Sequence, residues 1–537
     1  MRNVVRVAGL VLPGVLGCGD AGGGGTGIGG TSSGGGTSSS EGTSAGPTST
    51  STSETTATPT TAGPGDMSST TAEATTASDP GTGTATTNGD ETGPPMPVDC
   101  GGFTPGDDFN VCTATYLGGP GADVAGGVDI APDNTVVVGG AFPGHDFGQT
   151  ATELGAGDGV VLRLSPDGTQ ILSVTRLGGP VTEVAVAPGG EIAVAGGFGV
   201  ALLNADASAA LWTTELADTR RVAVGSDGTI AALHGKDVAV FDLSGAPLGS
   251  FPVAGTSIND VAVDGASASV FVTGYRQSDM GACQQYKSTF IRSHAYDGAA
   301  KWTNYDWNGD EVDDTEDCAD STGFGVAVGR DGKLYYTAKS DGGNTVHRKL
   351  PRDLTADAQN VANDPYNTPY GLKGANAVGY YARFDPATGE HLGGQFLVSR
   401  KANGDEDPAA AEANAAPPDQ ISALADGTMV IVGSSAYLLA DHDKKSIDGV
   451  KVGAYTAYEP YVLIVAPDFS QRLAWTAFTA TGPGGSRGVA VGPDSAAILF
   501  AQSGDSLAKG PLITVDAVQP DPGGGDGEAW LAVFPTP

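Results

Sequence analysis

Gly325-Val326-Ala327-Val328-Gly329-Arg330-Asp331-Gly332-Lys333-Leu334-Tyr335-Tyr336-Thr337-Ala338 reads as two extended runs about a turn. Val326 and Val328 fall on one face of an extended chain, Asp331-Gly332 supplies the positive φ angles of a tight reversal, and Leu334 to Thr337 return along the first run. Close relatives of this hairpin begin at Val128, Val184, Val222, Val261, Ile421 and Val489, so the unit occurs seven times. A second kind of hairpin precedes it in each unit. Val160 to Leu164 turns at Ser165-Pro166-Asp167-Gly168 and returns through Ile171 to Leu177, with relatives at Val200 to Leu216, Val238 to Val253, Thr289 to Thr303, Tyr380 to Val398 and Tyr461 to Thr479. Trp212, Trp302 and Trp475 hold the same place in their copies, where a large ring fills space between neighbouring units.

Val184 to Val222 is 38 residues and Val222 to Val261 is 39, close to the period of a four-stranded propeller blade. The tail Glu528 to Phe534 reads as the opening strand of a unit whose other three strands are missing, and Cys112 to Gly119, at the start of the body, reads as its second strand, running on to the Val128 hairpin. The expectation is an all-β, seven-bladed β-propeller of four-stranded blades, closed by pairing of the N- and C-terminal strands so that two sheet edges disappear. Tyr116-Leu117-Gly118-Gly119-Pro120-Gly121-Ala122-Asp123 followed by Val128 to Asn134 and Val136 to Gly140 resembles the bacterial seven-bladed β-propeller repeat family, as do Arg176 to Pro180 with Val184 to Gly197, and Asp260 to Tyr275. Phe241-Asp242-Leu243 and Phe384-Asp385-Pro386-Ala387-Thr388-Gly389 are similar to the quinoprotein-type propeller repeat. Both resemblances imply a fold rather than an activity.

Ahead of the body, Arg2 and Arg6 precede a short apolar run ending Val15-Leu16-Gly17-Cys18, a charge and length pattern of export. These last four residues resemble the lipobox of bacterial lipoproteins, which implies that residues 1–18 are a signal segment and Cys18 is the acylated residue. Residues 19–98 are Gly, Ser, Thr, Ala and Pro with few large apolar side chains, too little to offset ordering entropy. They are expected to be a disordered tether with an r.m.s. span of about 50 Å. The propeller is assigned to 99–537, with insertions at about 276–322, 340–378, 399–420 and 438–458. The formal charge of −35 disfavours nucleic acid and anionic lipid as partners and suits an exported, soluble surface.

With Cys18 assigned to lipid, four cysteines remain in an oxidising compartment, allowing three pairings, of which proximity favours Cys100 with Cys112 and Cys283 with Cys318. Between the latter two, Asp306, Asn308, Asp310, Asp314 and Asp317 stand at loop positions 1, 3, 5, 9 and 12, with the Val312 carbonyl at position 7. That oxygen alternation suits Ca²⁺ and resembles thrombospondin type 3 and EF-hand loops, although Glu311 replaces the usual Gly. Calcium is the one cofactor this implies. The insertion 340–376 gathers His347-Arg348-Lys349, Arg352, Tyr366 and Tyr370, a solvated excursion or a recognition loop. The histidines at 145, 234, 294, 347, 391 and 442 are scattered singly and read as surface or turn residues, and no nucleophile elbow, HExxH or phosphate-binding loop occurs. The function expected is a non-enzymatic, lipid-anchored module of the bacterial cell envelope, at the outer membrane or cell surface, binding a protein or glycan. The alternatives are a quinoprotein-like or glycan-processing enzyme with carboxylates at a central channel, and an envelope-assembly scaffold.

Overall fold

A computed structural model of the chain describes residues 98, 100–278, 283, 285–358, 378–400, 413–435, 439, 442–453, 459–478, 485–507 and 510–537. Cys18, the tether to residue 97, Tyr366 and Tyr370 lie outside the described residues. Among the described residues no helix is long and apolar enough to cross a membrane.

The fold is all-β. Each of the seven hairpins opens a sheet, and successive strands then pair antiparallel in chain order, except for the last strand of sheet 7 and the added strand of sheet 1, which is parallel. Sheet 2 is the plainest case: Val181–Val186, Ile192–Gly196, Gly199–Leu203 and Ala210–Thr214 lie side by side in that order. Sheets 1, 3, 4, 5, 6 and 7 start at Val124–Ile130, Thr219–Val224, Ser257–Asp264, Ser321–Val328, Pro418–Ala423 and Gly485–Val491. Sheets 1 and 5 add a fifth strand, Thr152–Glu153 and Ala413–Ala415.

The grouping of hairpins differs from the expectation. Gly159–Leu164 pairs with Val136–Ala141, so the second kind of hairpin completes the sheet before it and does not open the one after. Hydrophobic alternation identifies each hairpin locally but carries no information on which neighbour it joins.

Position within a sheet sets composition. The second and third strands are buried along their length, as in Ile192–Gly196 and Gly199–Leu203, because both faces are covered by adjacent sheets. They therefore read as near-continuous apolar runs. The outermost strand Ala210–Thr214 is largely exposed. Trp212 and Trp302 donate their indole N–H groups to Leu243 O and Pro386 O of the following sheet, each at 3.0 Å, which is the inter-unit packing expected of them.

Turn chemistry accounts for part of the acidity. Asp133, Asp167, Asp206, Asp227, Asp242, Asp331, Asp426 and Asp468 each accept the backbone N–H two residues on. These Asx turns need a short carboxylate at the reversal, so the negative charge is in part a property of the turns. In the opening hairpin Gly332, at φ 72°, completes the turn beside Asp331.

Thr113–Leu117, near the start of the body, and the last strand share sheet 7. Its order is Gly485–Val491, Ser495–Ser503, Gly527–Pro535, Thr113–Leu117, with Thr113 opposite Val533 and Leu117 opposite Ala529. Trp530 in that sheet has no exposed surface, stacks on Phe500 at 5.5 Å and donates to Ile513 O. Upstream, Asp108–Phe109 pairs parallel with Ser446–Ile447 of the insertion 438–458, fixed by Lys445 Nζ to Asp107 at 2.7 Å and by Val111 N–H to Asp448. That insertion thus receives the start of the body. Both expected disulfides, Cys100–Cys112 and Cys283–Cys318, are formed.

Candidate functional site

Every first strand carries a register shift just before its repeat valine or isoleucine. The shifts fall between Ala125/Val128, Val181/Glu183, Thr219/Arg221, Ile258/Asp260, Gly323/Gly325, Pro418/Gln420 and Ser486/Gly488. A bulge places an extra residue on one strand and re-aims the side chains around it. Here it turns polar side chains toward one cavity of about 190 Å³, lined by Asp129, Glu183 and Asp260 with apolar walls such as Val184, Val222 and Val261. First strands from all seven sheets contribute to its wall.

The charged groups of this cavity bridge sheets. Arg221 of sheet 3 reaches Glu183 of sheet 2 at 2.6 Å and Asp260 of sheet 4 at 3.7 Å. Arg220 donates to Ile258 O, and Asn259 Nδ2 donates to Gly323 O of sheet 5 at 2.7 Å. Asp129 accepts the N–H of Val186 at 2.7 Å, and Asp260 that of Val326 at 3.0 Å. Thr337 of sheet 5 donates to Asp419 O at 3.0 Å, and Ser486 of sheet 7 donates to the Asp419 carboxylate. Gly488 completes the series, since a Cβ there would lie 2.7 Å from Val128 Cγ1 of sheet 1.

Burial raises these carboxyls against the pull of their partners. Burial pushes Glu183 up to about 7, with Arg221 drawing it back and Asp260 adding to the rise. Burial likewise pushes Asp129 and Asp419 each up to about 6, and raises Asp260. Burial thus raises Glu183 and Asp260 together within one cavity, with Arg221 opposing the rise of both. A cavity this small falls below the roughly 300–1,000 Å³ of ordinary small-molecule sites.

The acidic loop 306–317 contains a short capped helix. Asp306 is gripped by Arg276 at 2.6 Å and Arg292 at 2.8 Å. Asn308 caps the short helix Gly309–Asp313, accepting the N–H of Glu311, while Glu311 returns a carboxylate to the Asn308 N–H at 2.7 Å. The Val312 carbonyl accepts N–H groups of Thr315 and Asp317, and Asp314 ends the helix. Asp310 sits in the first turn, where its charge suits the helix dipole. Among the described residues the one cluster of three His, Cys, Asp or Glu ligand atoms is Cys283, Asp313 and Cys318, two of which are the disulfide. Of the expected ligands Asp306, Asn308, Asp310, Val312, Asp314 and Asp317, Asp306 is engaged in ion pairs, Asn308 in capping and the Val312 carbonyl in the helix end, while Asp317 Oδ2 is buried with no hydrogen-bond partner. Oxygen spacing alone could not distinguish a helix cap from a metal loop.

Three histidines turn inward, contrary to the surface reading. His347 is fully buried, stacks on Tyr380 at 4.5 Å, and is held neutral by burial, its pKa pulled down to about 3. His391 meets Tyr380 Oη at 3.1 Å and is lowered to about 4 by burial. His442, also buried, contacts Glu459 at 2.8 Å. Arg352 lies over Trp302 and donates to Asn304, so the described part of the 340–378 insertion packs against the body.

Sequence reading missed the polar cavity. Its signal is visible afterwards: Thr182-Glu183, Arg220-Arg221, Asn259-Asp260 and Asp419-Gln420 are consecutive polar residues directly before the repeat valine or isoleucine, where strict alternation would allow one.

No family model and no curated protein matches the chain. Among solved structures, one described as "Structure of U3-55K" is similar at a TM-score of 0.42 and 9% identity, covering 73% of this chain and 92% of that one. Another, "Crystal structure of RRP9 WD40 repeats", is similar at 0.41 and 8% identity, covering 74% and 91%. Likeness at this level does not extend to function.

Proposed function

We propose that residues 99–537 form a seven-bladed β-propeller whose last blade is built from both ends of the body, and that it is a non-enzymatic binding module for a protein or glycan. One observation carries the architecture. The first strands of sheets 1 to 7 adjoin in succession, and that of sheet 7 adjoins that of sheet 1. A closed ring of rigid sheets with variable connecting loops suits recognition. The cavity at its axis is small, and its charged groups join neighbouring sheets, which supports a structural use for them.

Within the same proposal, Cys18 is acylated, residues 19–98 are the tether, and the body works at the bacterial envelope. Metabolic labelling with an alkyne fatty acid tests the anchor: label is expected on the full chain and absent after Cys18→Ser. Photocrosslinkers placed on loops at the two ends of the sheets test the binding role. Adducts confined to one end support it, and their absence from both ends in intact cells overturns it.

A second reading rests on Glu183 and Asp260, two carboxyls that line the same cavity and share Arg221. An enzyme using them would lose turnover in Glu183→Gln while keeping its fold. Soluble glycan substrates left unchanged by the wild-type chain would remove that reading.

A further inference from the structure

Asp123 and Glu528 lie 405 residues apart in sequence and meet in the structure at Gly118. A Cβ at Gly118 would collide with Asp123 Oδ2 and lie 2.7 Å from Glu528 Oε2, so both carboxylates abut this one residue. Asp123 is 4% exposed and Glu528 has no exposed surface. One oxygen of each is committed to a glycine: Asp123 Oδ2 accepts the Gly119 N–H at 2.6 Å, and Glu528 Oε1 accepts the Gly524 N–H at 2.8 Å. The other oxygens, Asp123 Oδ1 and Glu528 Oε2, are buried with no hydrogen-bond partner. Among the described residues, neither carboxylate has a Lys, Arg or His within ion-pair distance.

Two buried carboxylates facing one another without a cation are costly. Desolvation and mutual repulsion both oppose ionisation, and removing water leaves the charges largely unscreened. Burial raises both groups, Glu528 up to about 6 with the Asp123 charge adding to its rise. Either a proton or a cation must balance them. The setting favours a cation. The free donors are carboxylate oxygens, which suit hard divalent ions. A cavity of about 430 Å³, lined by Tyr116, Gly118, Gly119, His145, Gln519 and Gly523, lies against Gly118, the residue that both carboxylates abut.

We propose that Asp123 and Glu528 bind a divalent cation of the calcium type, which ties the glycine-rich loop 118–123 to the glycine-rich loop 519–527. The two carboxylates supply part of the oxygen shell and water entering from the cavity supplies the rest. The loops already touch: Ala122 bridges to Gly527, and a Cβ at Gly523 would lie 2.6 Å from Gly119 O. The ion would fasten the loops beside the strand pair Thr113–Leu117 and Gly527–Pro535. The proposal depends on that pairing and not on the binding role proposed above.

The test is calorimetric titration of the EDTA-treated full chain with CaCl₂ at pH 7.5, with a thermal melt in parallel. Wild type is expected to bind and to melt higher with calcium. The isosteric variants Asp123→Asn and Glu528→Gln are expected to weaken binding at least tenfold, whereas Asp310→Asn with Asp314→Asn leaves it unchanged. Binding is expected to weaken at pH 5, where protons compete for the same oxygens. Wild type that neither binds calcium nor shifts its melt overturns the proposal, and a proton then balances the pair. Binding lost only in the Asp310/Asp314 variant also overturns it, by assigning the ion to loop 306–317. If neither isosteric variant folds, the wild-type titration and its pH dependence still decide.

Discussion

Replacing Arg221 with methionine is expected to weaken the body by an amount that grows with pH. Arg221 stands between Glu183 at 2.6 Å and Asp260 at 3.7 Å, and the three side chains are 26%, 14% and 17% exposed. Breaking a fully buried pair costs about 3–5 kcal/mol, whereas an exposed pair contributes about 1 kcal/mol or less. A half-buried triad lies between, at about 2–3 kcal/mol near pH 8. Methionine keeps the stem, so most of the loss is electrostatic. The folded-state pKa of Glu183 is raised above its ordinary 4.5 to about 7, so the folded chain retains a proton that the unfolded chain releases. Stability therefore declines as pH rises from 4.5 through 7. Without Arg221 that pKa climbs further and the decline extends beyond 7, so the variant suffers more at pH 8 than at pH 5. Adding Glu183→Gln removes the titrating group and recovers part of the loss. Urea unfolding of all three chains at both pH values measures this. A loss below about 0.5 kcal/mol at pH 8, or the same loss at both, would refute the electrostatic account of the cavity.

Other outcomes follow from the same geometry. Trp530→Ala removes a fully buried ring from the strand paired with Thr113–Leu117 and should cost about 3–5 kcal/mol in denaturant unfolding; a loss under 1 kcal/mol would contradict the packing of sheet 7. Cys283→Ser with Cys318→Ser opens a loop with a sequence separation of 35, which chain entropy values at about 4 kcal/mol. Limited proteolysis should then cut within 284–317 first. Asp306→Ala leaves Arg276 and Arg292 without their shared carboxylate and should lower the melting temperature, whereas Asp310→Ala, at an exposed helix position, should not. Across the whole body, Glu183, Asp129, Asp419 and Glu528 are raised, so their contributions fall between about pH 4 and 7 as pH increases. Asp167, Asp206 and Asp385, lowered by turn hydrogen bonds, lose theirs below about 3.8. Melting temperature should therefore peak in mildly acidic buffer, and a maximum at pH 8 would contradict those shifts.

The repeat was legible because each hairpin satisfies itself locally. Alternating valines, an Asp at the reversal and a returning apolar run are adjacent in sequence, as at Val326 to Thr337. Pairing between hairpins was not legible, since the link from Ala141 to Gly159 leaves no local trace of which edge the next strand joins. The terminal pairing could be read because each end shows a strand without a partner, at Thr113–Leu117 and at Gly527–Pro535. The local structure of the acidic loop was not legible, because Asp306 and Asn308 carry the same spacing whether they face an ion or, as here, two arginines and a helix start. The Asp123–Glu528 contact has no sequence signature, because two remote carboxylates give no hint of their proximity until the sheet between them is assembled.

The pairing of Thr113 with Val533 also sets an order of events during synthesis. Sheets 1 to 6 are drawn from consecutive stretches and can form as those residues emerge, but Thr113–Leu117 waits for partners some four hundred positions later. Throughout that interval its backbone donors and acceptors stay available to any passing strand. Chains stopped short of Gly527 would lack the partner of Thr113–Leu117 and keep an open sheet edge, the kind of surface that favours aggregation.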